Sequence, residues 1–376
     1  MRKTRVLLLL HELSRTGAPR SALDAFNAMR DEFDVRTISP VSGLLRDEFR
    51  ALGSIDILSE IAQQGQDAGK RDDPDQWTRW VWEIHEWAPD LIYINTIIAM
   101  PFVRRLPLPE VPALLHVREL HSHLVPVMKE YSDLLVNRPL RYLAVSTAVQ
   151  CALVSECGIA ADRISVIHVF IPESRIDSAS GHPTRPADGT LVVGGCGRPG
   201  WRKGTTLWLQ MAADVRRLVG TSVRFVWVGV CEWPDPTWME GVKFRREAFL
   251  MGLSDVVEFI PSTPHALEHF SAFDIFAMTS WEDPCPRVVL ENMGLGKPVV
   301  CFEGSGGAPE ILGDTGITIP AFDPRAMAYA IAELAVAPHK RLSLGASARE
   351  RMHANYTDRA QIPKIRRELR RLGQRA

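Results

Sequence analysis

Residues 277–312 read AMTSWEDPCPRVVLENMGLGKPVVCFEGSGGAPEIL, and the order of elements in this stretch decides the fold class. An apolar run ends at Ser280, an acidic loop follows, and Pro284 and Pro286 open the apolar-periodic segment RVVLENM, which is therefore predicted to be a helix. A second apolar run, PVVCF, leads through the glycine loop 304–307 into another predicted helix. Strand, loop and helix thus occur twice in succession, which indicates one parallel sheet covered by helices.

Polar groups of two kinds are predicted at the C-terminal edge of this sheet. Helix N-termini present backbone N–H groups there and favour anions such as phosphate. The carboxylates of Glu282, Asp283 and Glu291 cannot be explained by phosphate binding. A sugar nucleotide accounts for both, because its diphosphate needs N–H donors and cations while its sugar hydroxyls need carboxylate acceptors. An ordinary Rossmann-like half with solvated acids fits these residues equally well.

The same stretch resembles the donor-site signature of glycosyltransferase family 4, which comprises retaining enzymes of the GT-B fold. That signature is an acid, seven residues, a glutamate, then G-x-P-V-V and G-G-x-x-E. It is matched by Asp283, Glu291, residues 296–300, Gly306, Gly307 and Glu310. The family usually has Glu at the first acidic position, whereas this chain has Asp283 with Glu282 beside it, so either carboxylate could hold the sugar. The resemblance assigns Glu291 to the ribose and Gly306 and Gly307 to the donor phosphates.

A basic loop earlier in the second half extends the resemblance. After the predicted strand LVVGGCG, Arg198 and Lys203 match the family pattern G-R-x-x-x-x-K-G, whose basic pair holds the donor diphosphate. Gly229 ends the next predicted strand, where the nucleotide would pass. Phe259 to Pro264 corresponds to the loop that edges the nucleobase. The alternative is a surface-charged loop between a strand and a helix.

The first half supplies a weaker set of candidates. Gly17 and Ala18 lie in the loop after the first predicted strand, and by resemblance they face the donor phosphate and the acceptor. His116 comes near the C-terminal end of the predicted strand ALLHV, where the family places a histidine near the reacting sugar. A buried histidine with satisfied hydrogen bonds is the alternative. Asn95 and Thr96 follow another predicted strand on the same ligand-facing edge.

Composition excludes several classes of protein. The chain has 376 residues, 46% hydrophobic and 24% charged, which predicts a soluble protein of two domains. Its formal net charge of -1 argues against a general nucleic-acid binder. Six cysteines occur without CxxC pairs, so neither a zinc site nor a disulfide framework is predicted. The apolar run of the N-terminus ends at Leu10 and is better explained as a buried strand than as a signal peptide, which favours a cytoplasmic location.

Two Rossmann-like, doubly wound domains are predicted, facing each other across a cleft as in the GT-B fold. The acceptor-side domain covers residues 1–176, a polar linker 177–189, and the nucleotide-sugar-binding domain 190–355. The segment 356–376 is predicted to be a helix, which in GT-B chains commonly returns to the N-terminal domain. Its cations are Lys364, Arg366, Arg367, Arg370 and Arg371. Contact with the inner face of a membrane and a solvated charged helix are the alternatives for these cations.

The resemblance implies transfer of a hexosyl group from a nucleoside-diphosphate sugar to a hydroxyl of a glycan, a lipid-linked glycan or a small molecule. His116 and either Asp283 or Glu282 are the catalytic candidates. No metal is expected, because Arg198 and Lys203 can neutralise the leaving group, and Asp73 and Asp75 fit an N-terminal helix cap better than a metal motif. A nucleotide-sugar epimerase and a binding protein without turnover are the alternatives. The second is favoured by two departures from the family: Val169 and Phe170 replace the usual Asn-Gly, and Asp283 replaces the usual Glu.

Overall fold

The computed structural model describes residues 2–61, 74–106, 108–136, 140–179 and 189–373. The chain divides into two compact units. The first consists of Met1–His168 with Asp358–Ala376, and the second of Val169–Thr357. Among the residues described, no helix is long and apolar enough to cross a membrane.

The first unit is a parallel sheet of seven strands in the order β3-β2-β1-β4-β5-β6-β7. The strands are β1 (Thr4–Leu9), β2 (Phe33–Ser39), β3 (Gly53–Ile57), β4 (Leu91–Ile94), β5 (Ala113–Val117), β6 (Leu140–Ala144) and β7 (Ile164–Val166). The helices are α1 (Gly17–Asn27), α2 (Arg46–Arg50), α3 (Pro74–Trp87), α4 (Met100–Val103), α5 (His121–Glu130), α6 (Ser132–Val136) and α7 (Thr147–Ser155). The central strands β4 and β5 are buried along their whole length, as expected for a parallel sheet covered on both faces.

The register of this sheet brings two loops and a strand end together. Leu9 is paired with Ile94 between β1 and β4, and Ile94 with Leu115 between β4 and β5. Because all strands are parallel, the residues after β1 and β4 and the end of β5 lie at one edge. The loop before α1, Asn95 and His116 are therefore neighbours.

The C-terminal helix packs on the first unit. Helix α16 (Asp358–Gly373) buries Ile362, Ile365 and Leu369, which recur at intervals of three or four residues and form one apolar face. On its polar side, Arg366 and Arg370 bind the two carboxylate oxygens of Glu32 at 2.6 and 2.7 Å.

The second unit is a parallel sheet of six strands in the order β10-β9-β8-β11-β12-β13. Its strands are β8 (Leu191–Cys196), β9 (Val223–Val230), β10 (Val257–Pro261), β11 (Ile275–Met278), β12 (Val299–Phe302) and β13 (Ile317–Ile319). Its helices are α8 (Glu173–Ala179), α9 (Thr205–Val219), α10 (Trp238–Leu250), α11 (Ala266–Ser271), α12 (Arg287–Gly294), α13 (Ala308–Leu312), α14 (Pro324–Val336) and α15 (Pro338–Asn355). The rings of Trp208, Phe225, Trp227 and Phe244 pack edge to face in its core.

The units meet in the sequence at His168, not at residue 176. Helix α8 belongs to the second unit because its buried Ile176 packs against Gly294 at the end of α12, where an added Cβ would lie 3.0 Å from the Ile176 side chain. The predicted linker 177–189 therefore begins inside a helix, and its residues 180–188 lie outside the described part of the chain, as does Asp73.

Candidate functional site

The ion pair of Lys203 and Asp283 is the centre of the candidate site in the second unit. Lys203 Nζ donates to Asp283 Oδ2 at 2.6 Å, and the two side chains are only 14% and 9% exposed. Lys203 ends a short 3-10 helix before Gly204, whose φ of 62° and close approach to the Thr279 carbonyl leave no room for a Cβ. The loop after β8 is thereby fixed against the end of β11, although its cation and the carboxylate are 80 residues apart.

Backbone hydrogen bonds attach the acidic loop to the glycine loop. Asp283 N–H donates to the Ser305 carbonyl at 2.7 Å, and Gly307 N–H donates to the Asp283 carbonyl at 3.0 Å. Gly306, with a φ of 107°, lies opposite Asp283 in an isolated β-bridge. The amide of Gly307, a predicted phosphate ligand, is thus used in joining the two loops. The helix that follows, α13, has only five residues.

Glu291 is buried in α12 and pairs with a residue that the sequence analysis did not identify. Its Oε1 lies 3.5 Å from Arg175 Nη2 of α8, and its side chain is 8% exposed. Cys196, at the end of β8, is influenced by the charges of several site residues. Burial raises the pKa of its thiol to about 12; Lys203 opposes this rise, while Glu291 and Asp283 add to it. The charges of three predicted site residues, Lys203, Glu291 and Asp283, therefore all act on Cys196.

Arg198 lies in the loop after β8, and Gly229 lies near the end of the neighbouring strand β9. Arg198 is half exposed, and its Nη2 lies 3.6 Å from Asp235 Oδ2 in the loop after β9. Burial opposes the change, but hydrogen bonds from Thr237 and the charge of Arg198 lower the pKa of Asp235 below its usual value. Gly229, with a φ of 103°, allows β9 to approach the Gly197 carbonyl, to which an added Cβ would be 3.2 Å away. Its contact in this structure is with backbone.

Glu282 occupies a different environment from Asp283. It is half-buried, its carbonyl accepts from Arg202 Nη1 at 3.2 Å, and the Trp281 amide donates to the Arg202 carbonyl at 3.0 Å. Of the two neighbouring acids, Asp283 is the one that contacts Lys203.

In the first unit, His116 lies in a buried polar network. Its Nδ1 is hydrogen-bonded to the Tyr93 hydroxyl and lies 3.1 Å from Arg118 Nη2. A guanidinium can only donate, so Nδ1 is the acceptor and the ring proton is placed on Nε2. Burial, and then the charge of Arg118, hold the pKa of His116 well below its usual value. Nε2 is buried and has no hydrogen-bond partner among the residues described. His116 is therefore a neutral imidazole with a donor to offer.

Asn95 joins this histidine network to the loop after β1. Its Nδ2 donates to the Ala18 carbonyl at 2.9 Å, and its Oδ1 accepts from Arg118 Nε at 3.2 Å. Gly17 begins α1, and its carbonyl accepts from the Ser21 hydroxyl at 2.7 Å. Ala18 and His116, two predicted site residues, are thus linked through Asn95 and Arg118.

Glu119 fixes the same edge of the first sheet. It accepts hydrogen bonds from the Thr96 hydroxyl, from the Arg118 amide at 2.9 Å and from the Ile97 amide at 3.4 Å. Burial raises the pKa of Glu119 despite these bonds. Asn95 and Thr96 could be found from their place after a strand. Tyr93 could not be found in this way, because it lies inside the buried strand β4, where its sequence position indicates only core packing.

Within the described ranges, no three His, Cys, Asp or Glu side chains are grouped so that they could hold a metal ion.

Comparison with known proteins finds a family match within the second unit. Residues 189–336 match the family model described as "Glycosyl transferases group 1". A segment of 171 residues is 32% identical to a D-inositol 3-phosphate glycosyltransferase of Saccharomonospora viridis. The segment is 44% of this chain and 39% of that protein, so the match spans about two fifths of the curated relative.

Solved structures are similar over the whole chain. HepE of Anabaena in complex with UDP and glucose has a TM-score of 0.78 at 20% identity, covering 97% of this chain and 99% of that one. Sucrose-phosphate synthase of Thermosynechococcus elongatus has a TM-score of 0.78 at 16% identity, covering 100% of both chains. At these identities the likeness concerns the fold. The predicted GT-B fold, with two Rossmann-like α/β domains, is confirmed.

Proposed function

We propose that this chain, whose residues 189–336 match the family model described as "Glycosyl transferases group 1", is a retaining glycosyltransferase. It transfers a hexosyl group from a nucleoside-diphosphate sugar to a hydroxyl of a glycan, a lipid-linked glycan or a small molecule. The observation that carries the proposal is the buried pair of Lys203 and Asp283, formed by two loops at the C-terminal edge of the second sheet. The pair supports the proposal because an ammonium is suited to a diphosphate and the neighbouring carboxylate is suited to sugar hydroxyls.

The leaving group determines what Lys203 must do. Breaking the glycosidic bond develops negative charge on the nucleoside diphosphate, and a preorganised cation stabilises that charge most where water is largely excluded. Lys203 has these properties, and the diphosphate would share its ammonium with Asp283. Arg198, half exposed beside Asp235, has the reach of a long side chain and supplies a second cation. This chemistry requires no metal, and we propose that the reaction proceeds without one.

The carboxylates divide the donor between them. Asp283 is proposed to accept hydrogen bonds from hexose hydroxyls, because a diphosphate bound at Lys203 would bring the attached hexose close to its carboxylate. Glu291, oriented by Arg175, is proposed to hold the ribose. Solved HepE binds UDP and UDP-glucose, which makes UDP-glucose the first donor to test on this chain.

The first unit contains an uncharged hydrogen-bond donor, the imidazole of His116. His116 carries its proton on Nε2, and burial disfavours the imidazolium form. It is therefore suited to donating a hydrogen bond to an oxygen of a bound saccharide and unsuited to acting as a general base. Gly17 and Ala18 are proposed to face the donor phosphate and the acceptor, since Asn95 ties Ala18 to the same network.

Helix α16 offers a surface for an acidic membrane. A groove of about 430 Å³ is lined by Pro363, Arg366, Arg367, Arg370 and Arg371. Glu32 neutralises part of this charge through Arg366 and Arg370. We propose that the protein is cytoplasmic and that the exposed Arg367 and Arg371 bring it to anionic lipids on the inner face of the membrane. Flotation with phosphatidylglycerol vesicles tests this, and binding unchanged in an R367E/R371E variant would contradict it.

Incubation with UDP-glucose and other nucleotide sugars, without an acceptor, tests the proposed reaction class. A transferase hydrolyses its donor slowly and releases the nucleoside diphosphate, and an added acceptor accelerates that release. An isomerised donor would identify an epimerase. A donor that binds but is unchanged, with every acceptor tried, would identify a binding protein.

A further inference from the structure

A ladder of stacked aromatic rings stands beside the Lys203 and Asp283 pair in the second unit. Trp201 stacks on Trp281 with centroids 6.2 Å apart and planes 6° from parallel, and Trp281 stacks on Phe322 at 4.4 Å and 30°. Phe322 in turn contacts Phe302, which is fully buried in the core. The ladder therefore runs from the core to the surface, and it ends at Trp201, which is 63% exposed.

The ladder is built from the loops that carry the candidate site. Trp201 lies between Arg198 and Lys203, and Trp281 immediately precedes the two acids. Both indoles are fixed by their backbone. Trp201 begins the 3-10 helix that ends at Lys203, and the Trp281 amide donates to the Arg202 carbonyl at 3.0 Å. A rigid indole with one face on another ring and most of its surface in water presents a flat apolar platform.

We infer that Trp201 is a platform for a pyranose ring of the acceptor saccharide, an inference that rests on the proposed transferase function. One face of a pyranose carries C–H groups, which pack against the electron-rich face of an indole. The rim of the ladder provides partners for hydroxyls, namely the exposed guanidinium of Arg202 and the half-buried Glu282.

Strand order separates this platform from the nucleobase. The ladder rests on the loops after β8, β11 and β13, whereas the loop expected beside the base follows β10 at the opposite end of the sheet. Depth separates it from the donor sugar. The carboxylates proposed for the donor belong to residues that are 7% and 6% exposed, at Asp283 and Glu291, so a donor that contacts them lies deeper than the open face of Trp201. An acceptor approaches from solvent, so the most exposed ring of the ladder, Trp201, is the one it would contact.

The test uses the full chain and two substitutions at the platform, Trp201→Ala and Trp201→Phe. Trp233→Ala is the matched control, because Trp233 is another exposed tryptophan, 76% accessible, in a different loop of the same unit. The probes are an array of immobilised gluco-, galacto- and mannopyranosyl oligosaccharides and, separately, UDP. The oligosaccharide best retained by the unsubstituted protein is then titrated against each variant in solution, and thermal unfolding confirms that each variant is folded.

Trp201→Ala should weaken the best oligosaccharide at least about 10-fold, the scale of losing one stacked ring, while Trp201→Phe loses less and Trp233→Ala is unchanged. UDP affinity should be the same in all four proteins. Retention of no oligosaccharide, or equal effects of Trp201→Ala and Trp233→Ala, would overturn the inference. A parallel loss of UDP affinity in Trp201→Ala would assign the platform to the nucleotide and overturn it too. If the protein bound the oligosaccharide but no nucleotide, the result would support the saccharide platform at Trp201 and contradict the proposed transferase function.

Discussion

Removing the ammonium of Lys203 should damage both catalysis and stability, and the structure allows the two effects to be separated. Lys203→Ala leaves Asp283, whose side chain is only 9% exposed, without its cation. Breaking a buried pair by removing one partner typically costs about 3–5 kcal/mol of the free energy of unfolding. Loss of a preorganised electrostatic partner costs about 10²-fold in kcat/KM, or about 2.7 kcal/mol of transition-state stabilisation.

A double substitution distinguishes the two costs. In Lys203→Ala/Asp283→Asn a neutral amide replaces the carboxylate, so no unpaired charge is left buried. The free energy of unfolding should therefore recover by about 1–3 kcal/mol relative to Lys203→Ala alone. Activity should not recover, because the cation for the diphosphate is still absent. Lys203→Arg should restore activity poorly, since a planar fork does not replace a compact ammonium at 2.6 Å from Asp283.

Urea unfolding and initial-rate kinetics with UDP-glucose, or with whichever donor proves active, measure these quantities. Arg202→Ala is the control in donor hydrolysis without an acceptor, where the contact inferred between Arg202 and the acceptor plays no part, because Arg202 is an exposed neighbour whose guanidinium contacts a backbone carbonyl. It should lose far less activity than Lys203→Ala. Equal losses in these two variants, or activity regained by the double variant, would refute the role assigned to Lys203.

Four further predictions concern separate parts of the site. Glu291→Ala should weaken binding of UDP as well as of the donor sugar in calorimetric titrations, because ribose is common to both; unchanged UDP affinity with altered sugar preference would place Glu291 at the hexose. A product made from an α-linked donor should keep the α configuration in NMR spectra, and a β product would exclude a retaining reaction. Turnover should persist in EDTA, whereas complete loss that Mg²⁺ or Mn²⁺ restores would refute the metal-free mechanism. Because the pKa of His116 is depressed in the folded protein, the unfolded chain binds its proton first, and stability should fall as pH drops below about 6.5, by at most about 1.4 kcal/mol per pH unit from this group. Thermal unfolding across pH should show a smaller slope in His116→Gln, and an unchanged slope would contradict the buried neutral histidine.

Local patterns predicted the elements around the site well. Pro286 and the apolar period of RVVLENM indicated the helix that the structure shows as α12, and the glycine loop led into α13 as expected. These features depend on neighbours within a few residues, where propensity and turn chemistry decide the conformation. The class of the two sheets followed from the alternation of strands and helices.

Contacts between distant parts of the chain could not be read in the same way. Arg175 reaches Glu291 because α8 is part of the second unit. From its sequence position Arg175 is predicted in the first domain, since composition marks the linker only from residue 177 onward. Asp235 contacts Arg198 because β9 lies next to β8 in the sheet. The residues of one strand do not determine which strands are its neighbours. Which of the two acids contacts Lys203 depends on the backbone hydrogen bonds of the acidic loop, and Asp283 makes these with the loop after β12.

Direct binding of a nucleoside diphosphate tests the central claim most simply. Thermal unfolding of the full chain would be followed with UDP, GDP, ADP and their hexose conjugates, in the unsubstituted protein and in Lys203→Ala. At about 100 times its Kd, the correct ligand should add about 2.7 kcal/mol, a shift of several degrees for a unit of this size, and the shift should shrink sharply in Lys203→Ala. If no nucleoside diphosphate or nucleotide sugar raises the unfolding temperature, or if Lys203→Ala responds as the unsubstituted protein does, the second unit is not the donor site that Lys203 and Asp283 are proposed to form.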